Sequence, residues 1–546
     1  MEENKTIKEI LLAYDEIELL DEEDGIIFFK LKGKEYGILS SKREARTSKP
    51  IILVRNENQY DYPHILPFAI PKDMHTFRSV CLYESENIIN YLMPFEDKII
   101  DAIDRLIHLL SLSEMEKEEE FQKEFLYYWN QQTMGDKLVR LYISPDRVFQ
   151  SMNVYQNDME LRILTHGIKM NDKEKWNFVP NICAFYIPII DNRRVLPPVK
   201  DKPWGIDDIM KIIKGSDLAR ISHETYESIK TVKVKSNKAY IIFEMVILHH
   251  RINFCSLVHF KTSKTDTLMN KLINSFERVE PIKATRCDYY FLNEQIGNDT
   301  SIADKKVAII GAGSLGSYIA SELVKSGIKN LIIYDDDKLE EANIMRHRAR
   351  FFGSHYSKVI AMKVDLESIH PEISIDERNE SLTKETLKRD MNDFDLIIFT
   401  VGSSDLQLMA NSVFKDANFE KPVIYSWLEA GGINSHILKV DYSKKGCFEC
   451  LYTDNEGKLV NNKANITSDE LVEKNTIRNG CGATRVAYGT GILLRTTSVL
   501  LDTVNKTFKG EFEDNCLIDI EPNSVINHGN NFKEGKCQCC GDKDSE

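Results

Sequence analysis

The chain has 546 residues, 42% of them apolar and 29% charged, with a net charge of −14. That length suffices for roughly two to four domains with ample buried core. The acidic balance argues against a nucleic-acid backbone as partner, because phosphate binding needs clustered positive charge. No run approaches the ~20 consecutive apolar residues that span a bilayer, and the start MEENKTIKEI is not a basic stretch followed by the apolar run of a secretion signal. We therefore expect a cytoplasmic protein with no membrane partner.

In chain order, the first region runs to about residue 150. It opens on an acidic, helix-like segment, NKTIKEILLAYDEIELLDEE, passes through strand-like runs such as GIIFFKLKG and KPIILV, and ends in EDKIIDAIDRLIHLLSL and EEEFQKEFLYYWNQQ. Apolar residues at helical spacing make the last two amphipathic helices, so this is an α+β pattern. Residues 151–290 are rich in strand-like stretches (NFVPNICAFYIPII, KAYIIFEMVILHH, RINFCSLVHF) and carry the Pro-containing loop RVLPPVKDKPWG. They hold no chemical signature and are expected to form an α+β linker domain. From about residue 291 the order becomes strand, glycine turn, helix, strand, the habit of an α/β Rossmann-like parallel sheet. The chain is expected to be multidomain, divided as 1–150, 151–290 and 291–546.

The third region carries the strongest motif, KKVAIIGAGSLGSYIASELVKSGIKNLIIYDDDKLEEANIMRHRARFF. An apolar strand runs into Gly311-Ala312-Gly313-Ser314-Leu315-Gly316, and a helix follows. Such a turn lets backbone N–H groups approach a nucleotide phosphate, and the helix N-terminus adds partial positive charge. Asp335 closes the second strand, where a carboxylate can accept hydrogen bonds from ribose hydroxyls. Beyond it come Asp336, Asp337, Asn343, Arg346 and Lys358. Hydride transfer has little use for fixed cations beside its phosphates, whereas attack on an α-phosphate builds charge that Arg and Lys stabilise, so ATP fits better than a dinucleotide.

In this order of residues the region resembles the adenylating domain shared by ubiquitin-activating enzymes and the bacterial thiamine- and molybdopterin-synthesis adenylyltransferases (ThiF and MoeB type). The resemblance implies adenylation of a partner protein's C-terminal carboxylate. Asp335 would hold the ribose, with Asp337 beside it, and Asn343, Arg346 and Lys358 would bind phosphates. The family's magnesium-holding aspartate follows its fourth strand; this chain reads TVGSSDLQLMAN there, so Asp405 is the nearest candidate, displaced by a few positions.

Of eleven cysteines, seven lie in the last hundred residues. Cys447-Phe-Glu-Cys450 and Cys537-Gln-Cys539-Cys540 supply two C-x-x-C pairs, suited to tetrahedral zinc in a closed, structural site, as in the resembling family. By spacing, Cys539 could replace a partner.

Cys481, between two glycines in RNGCGATRVAYG, belongs to neither pair. In the resembling activating enzymes a cysteine on a mobile loop attacks the acyl-adenylate and keeps the acyl group as a thioester, a task suited to a strong sulfur nucleophile. In the first region, YDYPHILPFAIPKDMHTFRSVCLYESENIINYLMPFEDKIIDAIDRLIHLL resembles the core of ubiquitin-conjugating enzymes, with Cys81 as second acyl acceptor. The His-Pro-Asn triplet usual before that cysteine is missing, and His75 is the candidate substitute.

This domain order resembles the bacterial activating/conjugating fusions of CBASS antiphage operons, which ligate the C-terminus of a cGAS-like nucleotidyltransferase to targets. It implies a partner with a reactive C-terminus (that nucleotidyltransferase or a ubiquitin-like protein), a lysine-bearing target, ATP, Mg2+ and structural Zn2+, and a homodimer. An Arg-x-Asp motif, Arg286 and Asp288, would lie near the nucleotide. Three alternatives use the same ATP site: a sulfur-carrier adenylyltransferase, conjugation of a ubiquitin-like modifier in another operon, and a non-catalytic nucleotide-sensing scaffold.

Overall fold

The computed structural model describes residues 2–541 apart from 24, 40–48, 56–61, 73–74, 84–91, 134–136, 193, 199–202, 217–218, 351–354 and 479–483; for residues 2–3, 67–72, 75–76, 478 and 484–486 only the backbone is described. The chain divides into two compact units, residues 1–166 with 177–286 and residues 167–176 with 287–546. Among the described residues no helix is long and apolar enough to cross a membrane.

The first unit begins with the helix Glu2–Leu11 and a six-stranded antiparallel sheet. The expected acidic helix reaches only to Leu11: the second half of that segment is the strand Ile17–Glu23, which pairs with Ile26–Leu31. The apolar run that follows explains the change. Ile27, Phe29 and Leu31 face one side and are buried with Ile7, Leu11, Ile99 and Ile103 of the helices Glu2–Leu11 and Phe95–Ser111. Ile26 and Phe28 face the other side and pack with Leu53 and Phe77. A strand buried on both faces reads as continuous hydrophobic sequence, and its neighbour must be a strand to satisfy its amides.

The unit continues into a ten-stranded mixed sheet. This sheet starts at Leu138–Tyr142, so position 150 falls among its strands: Leu138–Tyr142 pairs in parallel with Glu160–Thr165, which pairs with Gln150–Gln156. The helix Phe125–Gln131 packs into the same core, with the Phe125 ring 4.7 Å from Phe254 and Trp129 5.2 Å from Trp204.

The second unit is built on an eight-stranded sheet. Five parallel strands stand in the spatial order Ser374–Arg378, Asn330–Tyr334, Lys306–Ile310, Leu396–Phe399 and Val423–Leu428. Ser435–Val440, Cys516–Ile520 and Val525–Asn527 extend it antiparallel. The three central parallel strands, Asn330–Tyr334, Lys306–Ile310 and Leu396–Phe399, carry apolar runs because helices cover both faces, whereas the edge strand Ser374–Arg378 is mostly polar. Val307, Ile309, Leu331 and Ile333 pack under the helices Ser314–Lys325, Lys358–Glu367 and Thr490–Phe508. Ala308, Ile310, Ile332 and Tyr334 pack under Lys384–Asp390 and Ser404–Asp416. The strand order reverses between Lys306–Ile310 and Leu396–Phe399, and the crevice at such a point, outside the carboxyl ends of the strands, is where open α/β sheets take ligands. Residues 167–176 join this unit, where Asn171 Nδ2 donates to the carbonyls of Glu367 (3.0 Å), His370 and Ile373.

Candidate active site

That crevice holds a cavity of about 710 Å³, within the range of small-ligand sites. The glycine turn forms its floor. A Cβ at Gly316 would stand 1.8 Å from the Gly311 carbonyl oxygen and 2.7 Å from Thr400 Oγ1, so only glycine lets the helix approach the turn. Thr400 Oγ1 donates to the Gly311 carbonyl at 2.8 Å, tying the turn to the fourth strand. Among the described residues no side chain caps the helix Ser314–Lys325 at Gly313, and a Cβ on Gly313 would meet nothing within 4 Å. An uncapped helix N-terminus of this kind keeps first-turn amides that are able to bind an anion.

Asp335 is the hub of the wall. Its Oδ2 accepts from the Ala312 amide at 2.7 Å and its Oδ1 from the Asp337 amide at 2.9 Å, so the carboxylate shapes the glycine turn as well as its own loop. Lys358 Nζ stands 3.3 Å from Asp335 Oδ1 and 2.6 Å from Asp337 Oδ2; Lys358 and Asp335 are each about 10% exposed. The carboxylates of Asp335, Asp336 and Asp337 lie within 4.8 Å of one another. One lysine between such acids fixes the ammonium at the cavity edge. Asn343 and Arg346 complete the lining from the short turn Ile344–Arg346, where Asn343 Oδ1 accepts from the Glu340 amide at 3.1 Å.

His347, which sequence reasoning passed over, supports the turn from behind. Its Nδ1 accepts from the Ala349 amide (3.0 Å), which leaves Nε2–H to donate to the Ala312 carbonyl (2.8 Å). Burial lowers its pKa and keeps the ring neutral. Tyr488 and Trp427 also line the cavity without having been singled out. They come from distant segments and match no local motif.

Away from the cavity, Cys447, Cys450, Cys537 and Cys540 are buried with their sulfurs within 4.8 Å of one another. Cys447–Cys537 and Cys450–Cys540 are 3.7 and 3.4 Å apart, too far for disulfides and near the ~3.8 Å edge of a tetrahedron with ~2.3 Å metal–sulfur bonds. N–H groups turn toward the sulfurs: Asn411 Nδ2 lies 3.5 Å from Cys447 Sγ and the Cys447 amide 3.5 Å from Cys450 Sγ. Cys539 lies outside the foursome, its Sγ accepting from Asn411 at 3.2 Å. Cys540, and not Cys539, completes the group of four sulfurs.

Residues 294–521 match the profile of the ThiF family. This segment is a ThiF-family domain. Ubiquitin-like modifier-activating enzyme 5 of Bombyx mori is 28% identical over 173 residues, 28% of this chain and 42% of that protein, and its Caenorhabditis briggsae counterpart is 30% identical over 168 residues, 28% and 37%. The ATP-dependent ubiquitin transferase-like protein Cap2 of Pseudomonas aeruginosa is 27% identical over 183 residues, 33% of this chain and 32% of that protein. The chain thus spans less than half the length of these curated relatives. The crystal structure of E. coli MccB overlaps 45% of this chain and 67% of that one at 20% identity, with a TM-score of 0.35.

The ThiF-family domain brings Gly311, Gly313, Ser314, Leu315, Asp335, Asp337, Asn343, Arg346 and Lys358 around one cavity, with Ala312 and Gly316 in its floor. Asp405 is not among the described lining residues. It is exposed on the first turn of Ser404–Asp416. Asp288 is buried and caps the helix Tyr289–Gln295, its Oδ1 accepting from the Phe291 amide at 3.0 Å. Cys481 and its flanking glycines lie outside the described residues.

In the first unit, Arg286 pairs with buried Glu244 at 2.7 Å. Cys81 is exposed. Its amide donates to the His64 carbonyl at 2.7 Å. His64 has a φ of +67°, and its ring sits between Glu120 (3.2 Å) and Glu124 (2.9 Å). Burial opposes protonation of His64, but hydrogen bonds donated by its ring to both carboxylates, together with their charge, overcome it and raise its pKa. The side chain of His75 lies outside the described residues.

Proposed function

We propose that the ThiF-family domain uses ATP to adenylate the C-terminal carboxylate of a partner protein, and that the chain conjugates the activated terminus to a lysine of a target. The observation that carries this reading is the convergence of the glycine turn, an uncapped helix N-terminus, Arg346 and Lys358 on one cavity of a ThiF-family domain.

A carboxylate oxygen of the partner attacks the α-phosphorus, the bond to the β-phosphate bridging oxygen breaks, and pyrophosphate leaves. Charge on the phosphates is met by the helix amides, Arg346 and Lys358, with Asp335 at the ribose. The Cys481 thiolate then displaces AMP to form a thioester, Cys81 takes the acyl group and frees Cys481, and a lysine amine displaces Cys81 to form the amide. Each covalent stage splits one hard condensation into easier steps. Magnesium accompanies the nucleotide; Asp405 would have to reach it from outside the described lining. Similarity to a protein named as a ubiquitin transferase-like one supports transfer beyond activation. By the resemblance of the domain order to the CBASS fusions, the partner is a cGAS-like nucleotidyltransferase in antiphage defence, and the working unit is a homodimer. The four buried thiols fit structural Zn2+, with no open position for chemistry.

Intact-protein mass spectrometry of the operon-encoded partner after incubation with ATP and this chain, without reductant, tests the sequence of steps. Wild type yields an amide adduct. Cys481→Ala makes acyl-adenylate but no thioester, and Cys81→Ala accumulates a thiol-cleavable thioester on Cys481 and no amide. A thiocarboxylate product would point to sulfur transfer, an unchanged partner would overturn the enzymatic reading, and full amide product from Cys81→Ala would remove Cys81 from the pathway.

A further inference from the structure

Tyr488 lies just before the long helix Thr490–Phe508, far in sequence from every nucleotide motif, yet it lines the cavity. Three contacts fix its ring. Its hydroxyl donates to Ser314 Oγ at 3.1 Å, at the first residue of the helix that follows the glycine turn. Its face carries the Arg346 guanidinium, with Cζ 4.7 Å from the ring centroid. Its base is wedged against Gly432, where a Cβ would stand 2.4 Å from Tyr488 Cβ and 2.8 Å from Tyr488 Cα. Gly432 itself has a φ of +65°, so position 432 is shaped to admit the tyrosine.

Arg346 projects from a single short 3-10 turn, and a long guanidinium side chain gives up much rotamer freedom when a ligand immobilises it. A rigid aromatic face removes part of that loss in advance. We propose that Tyr488 is a positioning residue for Arg346, holding the guanidinium over the phosphate end of the cavity before nucleotide arrives, with Ser314 and Gly432 as its mount. This rests on the adenylating reading above for the ligand, and on the three contacts for the mechanism.

The test is calorimetric binding of MgATP and of adenosine to the full chain in four forms: wild type, Tyr488→Leu, Arg346→Ala and the double variant, with Tyr488→Phe as the conservative control. Tyr488→Leu should weaken MgATP roughly tenfold, the size of a well-placed cation–π contact, and leave adenosine within about twofold. In the Arg346→Ala background it should add nothing, because the two residues act as a unit. Tyr488→Phe should keep most of the wild-type affinity, since the ring face remains. An equal loss for adenosine, or the same loss in both backgrounds, would mean that Tyr488 merely shapes the cavity. Tighter MgATP binding in Tyr488→Leu would mean that the ring occupies the phosphate position; either result overturns the proposal. Wild type that binds no MgATP would instead overturn the adenylating reading itself, an outcome visible without any variant.

Discussion

The two halves of the second unit's sheet treat their polar groups in opposite ways. In the parallel half, Asp335, Lys358, Arg346 and the helix amides meet at an open crevice. In the antiparallel half, charge is closed inward. His436 lies between Glu429 (2.6 Å) and Asp519 (2.7 Å), all three nearly fully buried, and the second oxygen of Asp519 takes His528 at 2.7 Å. Glu429 also accepts the amides of Ile466 and Thr467 at 2.9 and 2.7 Å, fastening the segment that leads toward Cys481. The thiol foursome is equally enclosed. The difference separates polar groups that line a crevice open to a ligand from polar groups enclosed within the frame. Substitutions in the two halves should therefore separate activity from stability.

The largest expected effect is on the closed half. Wild type should carry about one zinc per chain by elemental analysis, and Cys540→Ser should lose it and lower the melting temperature of the second unit on the order of 10 °C, since a closed metal site contributes folding free energy directly. Protein that stays folded should still adenylate. Metal-free wild type, or Cys540→Ser with unchanged melting, would break the comparison on this side.

On the open half, Arg346→Ala should reduce partner-dependent ATP–pyrophosphate exchange roughly 10²-fold or more, the loss expected for one preorganised donor to developing charge. Its melting temperature should move by no more than about 2 °C, because the residue lines a cavity and anchors no core. Exchange near the wild-type rate would remove Arg346 from the mechanism, and a large loss of stability would mean that the crevice is also part of the frame.

A smaller effect sharpens the comparison through pH. Burial alone would raise Glu429, but hydrogen bonds from His436 and the two amides bring its pKa down to about 2. A carboxylate lowered in the folded state contributes stability that is present above its ordinary value of 4.5 and is lost as pH falls toward about 2. Burial likewise opposes protonation of His436, and its two carboxylate partners overcome it, raising the pKa. That contribution is complete below the ordinary 6.5 and fades as pH rises through the elevated folded value. Calorimetric melting across pH should show both limbs, and Glu429→Gln should flatten the acid one. An acid limb of equal steepness in the variant would assign acid sensitivity to other carboxylates.

How much of this was legible beforehand follows from how local each feature is. The glycine turn, Asp335 at the end of the second strand and the two C-x-x-C pairs are short-range patterns: their spacing is dictated by a strand-to-helix turn or by a knuckle that must present two sulfurs to one point. The amphipathic helices are likewise visible as periodicity, and the buried parallel strands as short apolar runs bounded by turn residues. The acidic opening segment misled because helical spacing over NKTIKEIL runs without punctuation into IELLDEE, and the strand there exists only because Ile26–Leu31 offers it a partner.

The amino-acid sequence by itself determined that an apolar strand meets a glycine turn and a helix, and which residues along those elements carry charge or sulfur, because backbone geometry and side-chain chemistry act over a few neighbouring positions. Only the tertiary structure decided which of them meet. It selected Cys540 over Cys539, set Asp405 on an exposed helix turn, seated His347 behind the Ala312 carbonyl, brought Tyr488 across 142 positions to face Arg346, and drew Asn171 into the second unit. Such pairings depend on the free energy of packing between segments remote in the chain, to which no local spacing corresponds.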